Sequence, residues 1–235
     1  MASFHHRIKS GKKGTAANHA AYISRQGKHS DREDLVESGF GNMPAWAEED
    51  SAKFWKLADK HERANGAVYR EHEIALPDEL TREQQLELAA ALVRVLVGKK
   101  TFQYAVHAPK SSLEGATNTH VHLMYSDRMQ DEIGRQPELF FHRNNPRHPE
   151  QGGCKKDSGG KNRLMLRDEV IETRRKCAEL QNAALAKYGH DARVDHRSLR
   201  QQGISRKPER HLGQARIRKM SALDKAQHLA ARRNR

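Results

Sequence analysis

The chain has little with which to cross-link itself and no segment suited to a membrane. Two cysteines, Cys154 and Cys177, occur in 235 residues. They cannot make a disulfide framework, and a reducing, cytoplasmic setting is expected. No apolar run approaches the ~20 residues of a membrane span. The longest, "LELAAALVRVLVG", is interrupted by Arg94. The start, "MASFHHRIKSGKKG", lacks the apolar stretch of a secretory signal, so none is expected. Aromatics make up only 6%, and no segment repeats.

Positive charge is abundant. Forty-three Lys and Arg against thirty Asp and Glu leave a formal net charge of +13, and fifteen histidines add to it when protonated. Such an excess favours a polyanionic partner, most simply nucleic acid. Hydrophobic residues at 36% suffice for a core beneath a surface that is strongly ionic.

The pattern alternates between strand and helix signals. "SFHHRIKS" reads as a short strand closed by the turn "SGKKG". "TAANHAAYISRQG" reads as an Ala-rich helix with Thr15 as its cap and Gly27 beyond its end. "HSDREDLVESGFGNMP", polar and Gly-containing, reads as a loop. "AWAEEDSAKFWKLADKHERAN" spaces Trp46, Phe54, Trp55, Leu57 and Ala58 as an amphipathic helix. "AVYREHEIALP" is a strand stopped by Pro77. The helix "DELTREQQLELAAALVRVLVGKK" carries a capping box, Thr81 with Gln84, and ends at Gly98. "TFQYAVHAP" and "NTHVHLMYSDR" are strands expected to pair as an antiparallel hairpin. The Gly- and Pro-rich "FFHRNNPRHPEQGGCKKDSGGKNR" reads as a mobile basic loop. A second long helix, "LMLRDEVIETRRKCAELQNAALAKYGH", follows. The order predicts an α+β domain, a mostly antiparallel central sheet with flanking helices, over residues 1–203. Residues 204–235 read as a basic tail or helix, a linker to a downstream region.

Chemistry concentrates on two strands. His120 and His122 are two apart and so share one face of a strand. His107 lies on the neighbouring strand, and directly opposed residues sit roughly 5 Å apart at Cα. Three imidazoles can then converge on one divalent ion and leave positions open for a substrate oxygen. Glu71 and Glu73 also share a face; a carboxylate there can orient a metal-bound imidazole or assist proton transfer, or simply face solvent. Tyr22 has His19 three residues before it and Arg25 three after, all on one side of a helix. A phenol needs a nearby cation to act as a nucleophile at neutral pH. Together these groups in a basic protein point to phosphodiester chemistry.

In order along the chain, "AAYISRQGK", "ERANGAVYREHEIALP", "AVHAPK", "NTHVHLMYSDR", "LAKYGHDARVDHRSLRQQGI" and "HLG" resemble the relaxase domain of plasmid mobilisation proteins of the MobA/MobL (MobQ) family, of the IncQ plasmid type. These belong to the HUH endonucleases, whose metal motif is H-hydrophobic-H. The resemblance implies Tyr22 as nucleophile, His107, His120 and His122 as metal ligands, and Glu71 and Glu73 as the acidic motif. Thr119 stands where the family motif usually has proline. The implied activity is nicking of one strand at an origin of transfer, leaving a 5′-phosphotyrosyl link and a free 3′-hydroxyl, with later rejoining during conjugative mobilisation. Mn²⁺ or Mg²⁺ is the expected ion, with Zn²⁺ the alternative. Expected partners are single-stranded or hairpin origin DNA, accessory relaxosome proteins and a coupling protein, and no membrane. A replication-initiation HUH nickase is one alternative; there the H-x-H usually precedes the tyrosine. A non-catalytic DNA-binding module is another.

Arg7, Lys9, Lys12, Lys13, Arg25, Arg128, Lys155 and Lys156 are the expected DNA contacts, with the strong salt dependence that phosphate contacts bring. Arg128 is an alternative brace for Glu73. Trp46, Phe140 and Phe141 are candidate base-stacking rings. Asp195 and His196 are placed at a structural or DNA-facing role. His142, His148 and Cys154 form a weak zinc set.

Overall fold

A computed structural model describes residues 3–110, 113, 117–208, 212 and 214–233. Five strands form one antiparallel sheet: β1 (His6–Gly11), β2 (Leu35–Gly41), β3 (Tyr69–Ala75), β4 (Phe102–His107) and β5 (His120–Tyr125), in the order β1-β3-β5-β4-β2. The helices are α1 (Ala16–Ile23), α2 (Ser51–His61), α3 (Arg82–Val97), α4 (Pro137–Phe140), α5 (Arg163–Lys187), α6 (Gln214–Lys219) and α7 (Ala222–Arg233). This is the α+β class expected. No helix among the described residues is long and apolar enough to cross a membrane.

Strand alternation divides the core. On one face Ile74, Val106 and Val121 pack with Leu88 and Leu92 of α3 and with Cys177 and Leu185 of α5. On the other, Ala105 and Met124 pack with Ala20 and Ile23 of α1 and Phe54 and Trp55 of α2. Gln103 on β4 fixes this second layer. Its side-chain amide donates to the Ala20 carbonyl at 3.2 Å and to the Ser24 hydroxyl, and its oxygen accepts from Trp55 Nε1 at 2.9 Å. The C-terminal end of α1 is thereby held on β4, one strand from the H-x-H.

Three local expectations are corrected. The segment read as a loop contains β2, an edge strand paired with β4. Thr15 sits at the start of α1 but makes no side-chain cap bond; Asp59 of α2 accepts from the Gly14, Ala16 and Ala17 amides instead, at 2.8, 3.0 and 2.9 Å. The basic loop after Phe140 is packed down, with Gly152, Gly153 and Cys154 buried. The expected hairpin β4–β5, the Thr81–Gln84 capping box and the long α5 are all present.

Candidate metal centre and nucleophile

The register of the central hairpin places His107 directly opposite His120, while His122 lies two residues along the same face. One ring nitrogen from each lies within 4.8 Å of the others, the one such His/Cys/Asp/Glu group among the described residues. His107 and His122 are buried; His120 is half-buried. Neighbouring groups settle the tautomers. His122 Nδ1 donates to Glu71 Oε1 at 2.6 Å, and His120 Nδ1 donates to the Asn118 carbonyl at 2.8 Å. Each then presents a bare Nε2 lone pair, and these two atoms stand 3.2 Å apart. Two imidazole lone pairs facing each other repel unless a proton or cation lies between them. The donor set therefore fits a divalent ion, with Glu71 as the orienting partner behind one ligand.

His107 is held differently. Its Nε2 donates to the Ile23 carbonyl at 2.6 Å and its Nδ1 accepts from Arg25 Nη2 at 3.1 Å. Burial, then the adjacent His122 and Arg25, pushes it down to about 3, and burial also lowers His120. Both rings are thus neutral at pH 7, the form that binds metal. Burial alone raises Glu71, but hydrogen bonds from His122 and His19 outweigh it and hold the carboxylate well below its usual range. Glu73, on the same face, is held down by Lys9 against its own burial.

Tyr22 occupies the last turn of α1, half-buried. Its ring stacks near His19, meets His29 edge-on, and lies 4.7 Å beneath the Arg25 guanidinium. Arg32 Nη1 donates to its hydroxyl at 3.2 Å. His19 Nε2 in turn lies 3.0 Å from Glu71 Oε2. The tyrosine thus connects to the imidazoles by two routes, Arg25 to His107 and His19 through Glu71 to His122.

The expected DNA contacts separate into two groups. Arg7, Lys12, Lys13 and Lys155 are exposed, and Lys9 is half-buried between Glu71 and Glu73. Arg128 is a correction. It is 2% exposed, bridges both oxygens of Glu62, and donates to the carbonyls of Phe141, His142 and Cys154. It neither reaches Glu73 nor faces solvent. Lys156 is likewise turned inward, onto the Ala67 carbonyl and Glu62. Arg25 is buried against Asp34 and the two site residues rather than displayed on the surface. Phe140 and Phe141 are core residues, and Trp46 packs on them and on Phe54, so none is an open stacking platform. Asp195 pairs with Arg197. His142, His148 and Cys154 do not form a ligand group. Of "HLG", only Leu212 lies within the described residues. Asp34 and Arg32 carried no sequence signal; only the closure of the loop onto α1 reveals them.

A family model described as the MobA/MobL family matches residues 14–222. A 43 kDa relaxation protein of Salmonella typhimurium is 45% identical over 209 residues, covering 88% of this chain and 56% of that protein. Mobilization protein A of Escherichia coli is 40% identical over 219 residues, covering 91% of this chain and 30% of that protein. The chain thus spans about half or less of the length of these relatives. A solved structure described as the molecular basis of vancomycin resistance transfer in Staphylococcus aureus shares the fold, with a TM-score of 0.61 and 21% identity over 83% of this chain and 99% of that one.

Proposed function

The chain belongs to the MobA/MobL family, and from that membership we propose that it is a relaxase domain that nicks one strand of DNA at a plasmid origin of transfer. Tyr22 is the nucleophile. Its hydroxyl oxygen forms a bond to phosphorus as the P–O3′ bond breaks. The phenolic proton passes to solvent and the departing 3′-oxygen takes one up. One phosphodiester becomes one phosphotyrosyl diester, so the reverse attack can reseal the strand.

A divalent ion on His107, His120 and His122, Mn²⁺ or Mg²⁺ by this reading, supplies Lewis-acid polarisation of the scissile phosphate. Glu71 orients His122 and links it to His19. Glu73 balances Lys9 at the rim. Arg32 stands on the Tyr22 oxygen, where charge develops. Exposed Arg7, Lys12, Lys13 and Lys155 neutralise flanking phosphates, and the basic residues beyond 203 extend that surface toward a downstream region. Accessory relaxosome proteins and a coupling protein complete the assembly in which the nick is made.

The observation that carries this reading is the direct bonding of the Tyr22 helix end to a metal-competent imidazole, through the Ile23 carbonyl and the Arg25 guanidinium on His107. The test is a labelled single-stranded origin oligonucleotide with Mn²⁺. A covalent protein–DNA adduct is expected, and Tyr22→Phe abolishes it while the mobility shift persists. A shift with no adduct from the unmodified protein refutes the proposal.

A further inference from the structure

Helix α1 ends in a Schellman motif. The Gln26 amide bonds the Ala21 carbonyl at 2.9 Å and the Arg25 amide bonds the Tyr22 carbonyl at 3.3 Å. The motif needs a left-handed residue after the cap, usually glycine, because a Cβ is disfavoured there. Here that residue is Arg25, at φ 53°. Such a backbone persists only where the surroundings over-determine it.

Those surroundings centre on Asp34. Its two carboxylate oxygens take the Arg25 fork, from Nε at 2.7 Å and Nη2 at 2.8 Å. The Asp34 carbonyl accepts from the Ala108 amide at 2.8 Å, immediately after the ligand His107. Fixed in this way, the guanidinium directs Nη1 to the Tyr22 carbonyl at 2.8 Å and Nη2 to His107 Nδ1 at 3.1 Å. Four of its five N–H groups are thereby committed among the described residues. The arginine joins nucleophile to ligand, and Asp34 alone sets its plane.

We propose that Asp34 is a positioning residue for the strand-transfer step: it aligns the Arg25 fork so that the end of the tyrosine helix and the imidazole of His107 keep one mutual geometry. The covalent step it serves is the exchange already described, in which Tyr22 O–P forms and P–O3′ breaks. This rests on the relaxase reading for its catalytic consequence, but its effect on His107 does not.

Two measurements on Asp34→Ala and Asp34→Asn separate these dependences. Mn²⁺ affinity is measured calorimetrically without DNA, and the single-turnover rate of adduct formation is measured with bound origin strand. Orienting groups behind metal ligands typically change affinity or activity about 10–100-fold when removed. Asp34→Ala is expected to weaken Mn²⁺ binding at least several-fold and slow adduct formation by about tenfold or more, with oligonucleotide affinity within about twofold. Asp34→Asn, which keeps the shape and one acceptor, falls between, and guards against loss of fold in the alanine variant. Asp34→Glu is expected to recover part of both losses. Unchanged Mn²⁺ affinity and unchanged rate in both Asp34→Ala and Asp34→Asn overturn the proposal. If the unmodified protein makes no adduct, the relaxase reading fails, and the Mn²⁺ titration still decides whether Asp34 positions His107.

Discussion

Arg25 holds a backbone conformation that most side chains avoid, and this separates its contribution to function from its contribution to stability. The left-handed region costs a non-glycine residue about 1 kcal/mol or more relative to glycine. Arg25→Gly and Arg25→Ala remove the same guanidinium, and both leave Asp34 able to reach water. They differ only in the backbone. Arg25→Gly is expected to be more stable than Arg25→Ala by about 1 kcal/mol, while both lose adduct formation equally. Denaturant melts of the two variants test this, and equal stabilities rule out strain at residue 25. The contrast with Arg128 shows how one residue type serves two purposes. Arg128 sits with Glu62 in the interior and satisfies three loop carbonyls. Losing one partner of a buried pair costs about 3–5 kcal/mol, so its role is architectural. Sequence charge alone cannot distinguish the two arginines, because burial is decided by what folds around them.

Elements were legible where local chemistry agreed with tertiary need. The capping box at Thr81 and the alternation in "THVHLMY" are self-contained signals, and α3, β4 and β5 follow them. Strand β2 was not legible, because Gly39 and Gly41 dilute its pattern. The reason lies across the sheet. A Cβ on Gly39 would stand 2.7 Å from the Tyr104 ring, and one on Gly41 2.7 Å from Phe102. The aromatic rings of β4 lie over these glycines and supply the packing that β2 lacks, so the edge strand is specified by its neighbour's residues. The α1 cap shows the same non-locality, since Asp59 comes from another helix. Three amides depend on that one carboxylate, and the helix it starts carries Tyr22. Asp59→Ala is therefore expected to cost about 1–2 kcal/mol and to lower adduct formation more than DNA affinity. A thermal melt paired with the adduct assay checks it; full activity with reduced stability shows that α1 keeps its place without the cap.

At the scale of the whole molecule, the sheet keeps two kinds of buried histidine apart on its two faces. The triad faces the cleft beside α1. His6 and His72 lie on the opposite face, beneath the helical layer, with His6 Nε2 2.9 Å from His72 Nδ1 and the His72 ring stacked on Tyr125. Burial, then His72, Arg174 and His5, pushes His6 down to about 3. Burial, then Lys100 and Arg70 against the opposing Glu71, pushes His72 down to about 4. In the unfolded chain both titrate near the ordinary value of about 6.5. Between that value and about 4 the unfolded state binds protons that the folded state refuses. Stability contributed by the neutral pair is therefore complete above about pH 6.5 and is lost as pH falls. The loss is on the order of 2 kcal/mol for each imidazole at pH 5. Replacing both rings by apolar side chains removes this dependence without stranding a polar partner. The double variant His6→Leu, His72→Leu is expected to lose less melting temperature between pH 7 and pH 5 than the unmodified protein, both measured with chelator so that no ion occupies the other face. Parallel acid limbs show that this pair does not govern acid stability, and a steeper limb in the variant means that protonation of the two rings favours the folded state instead.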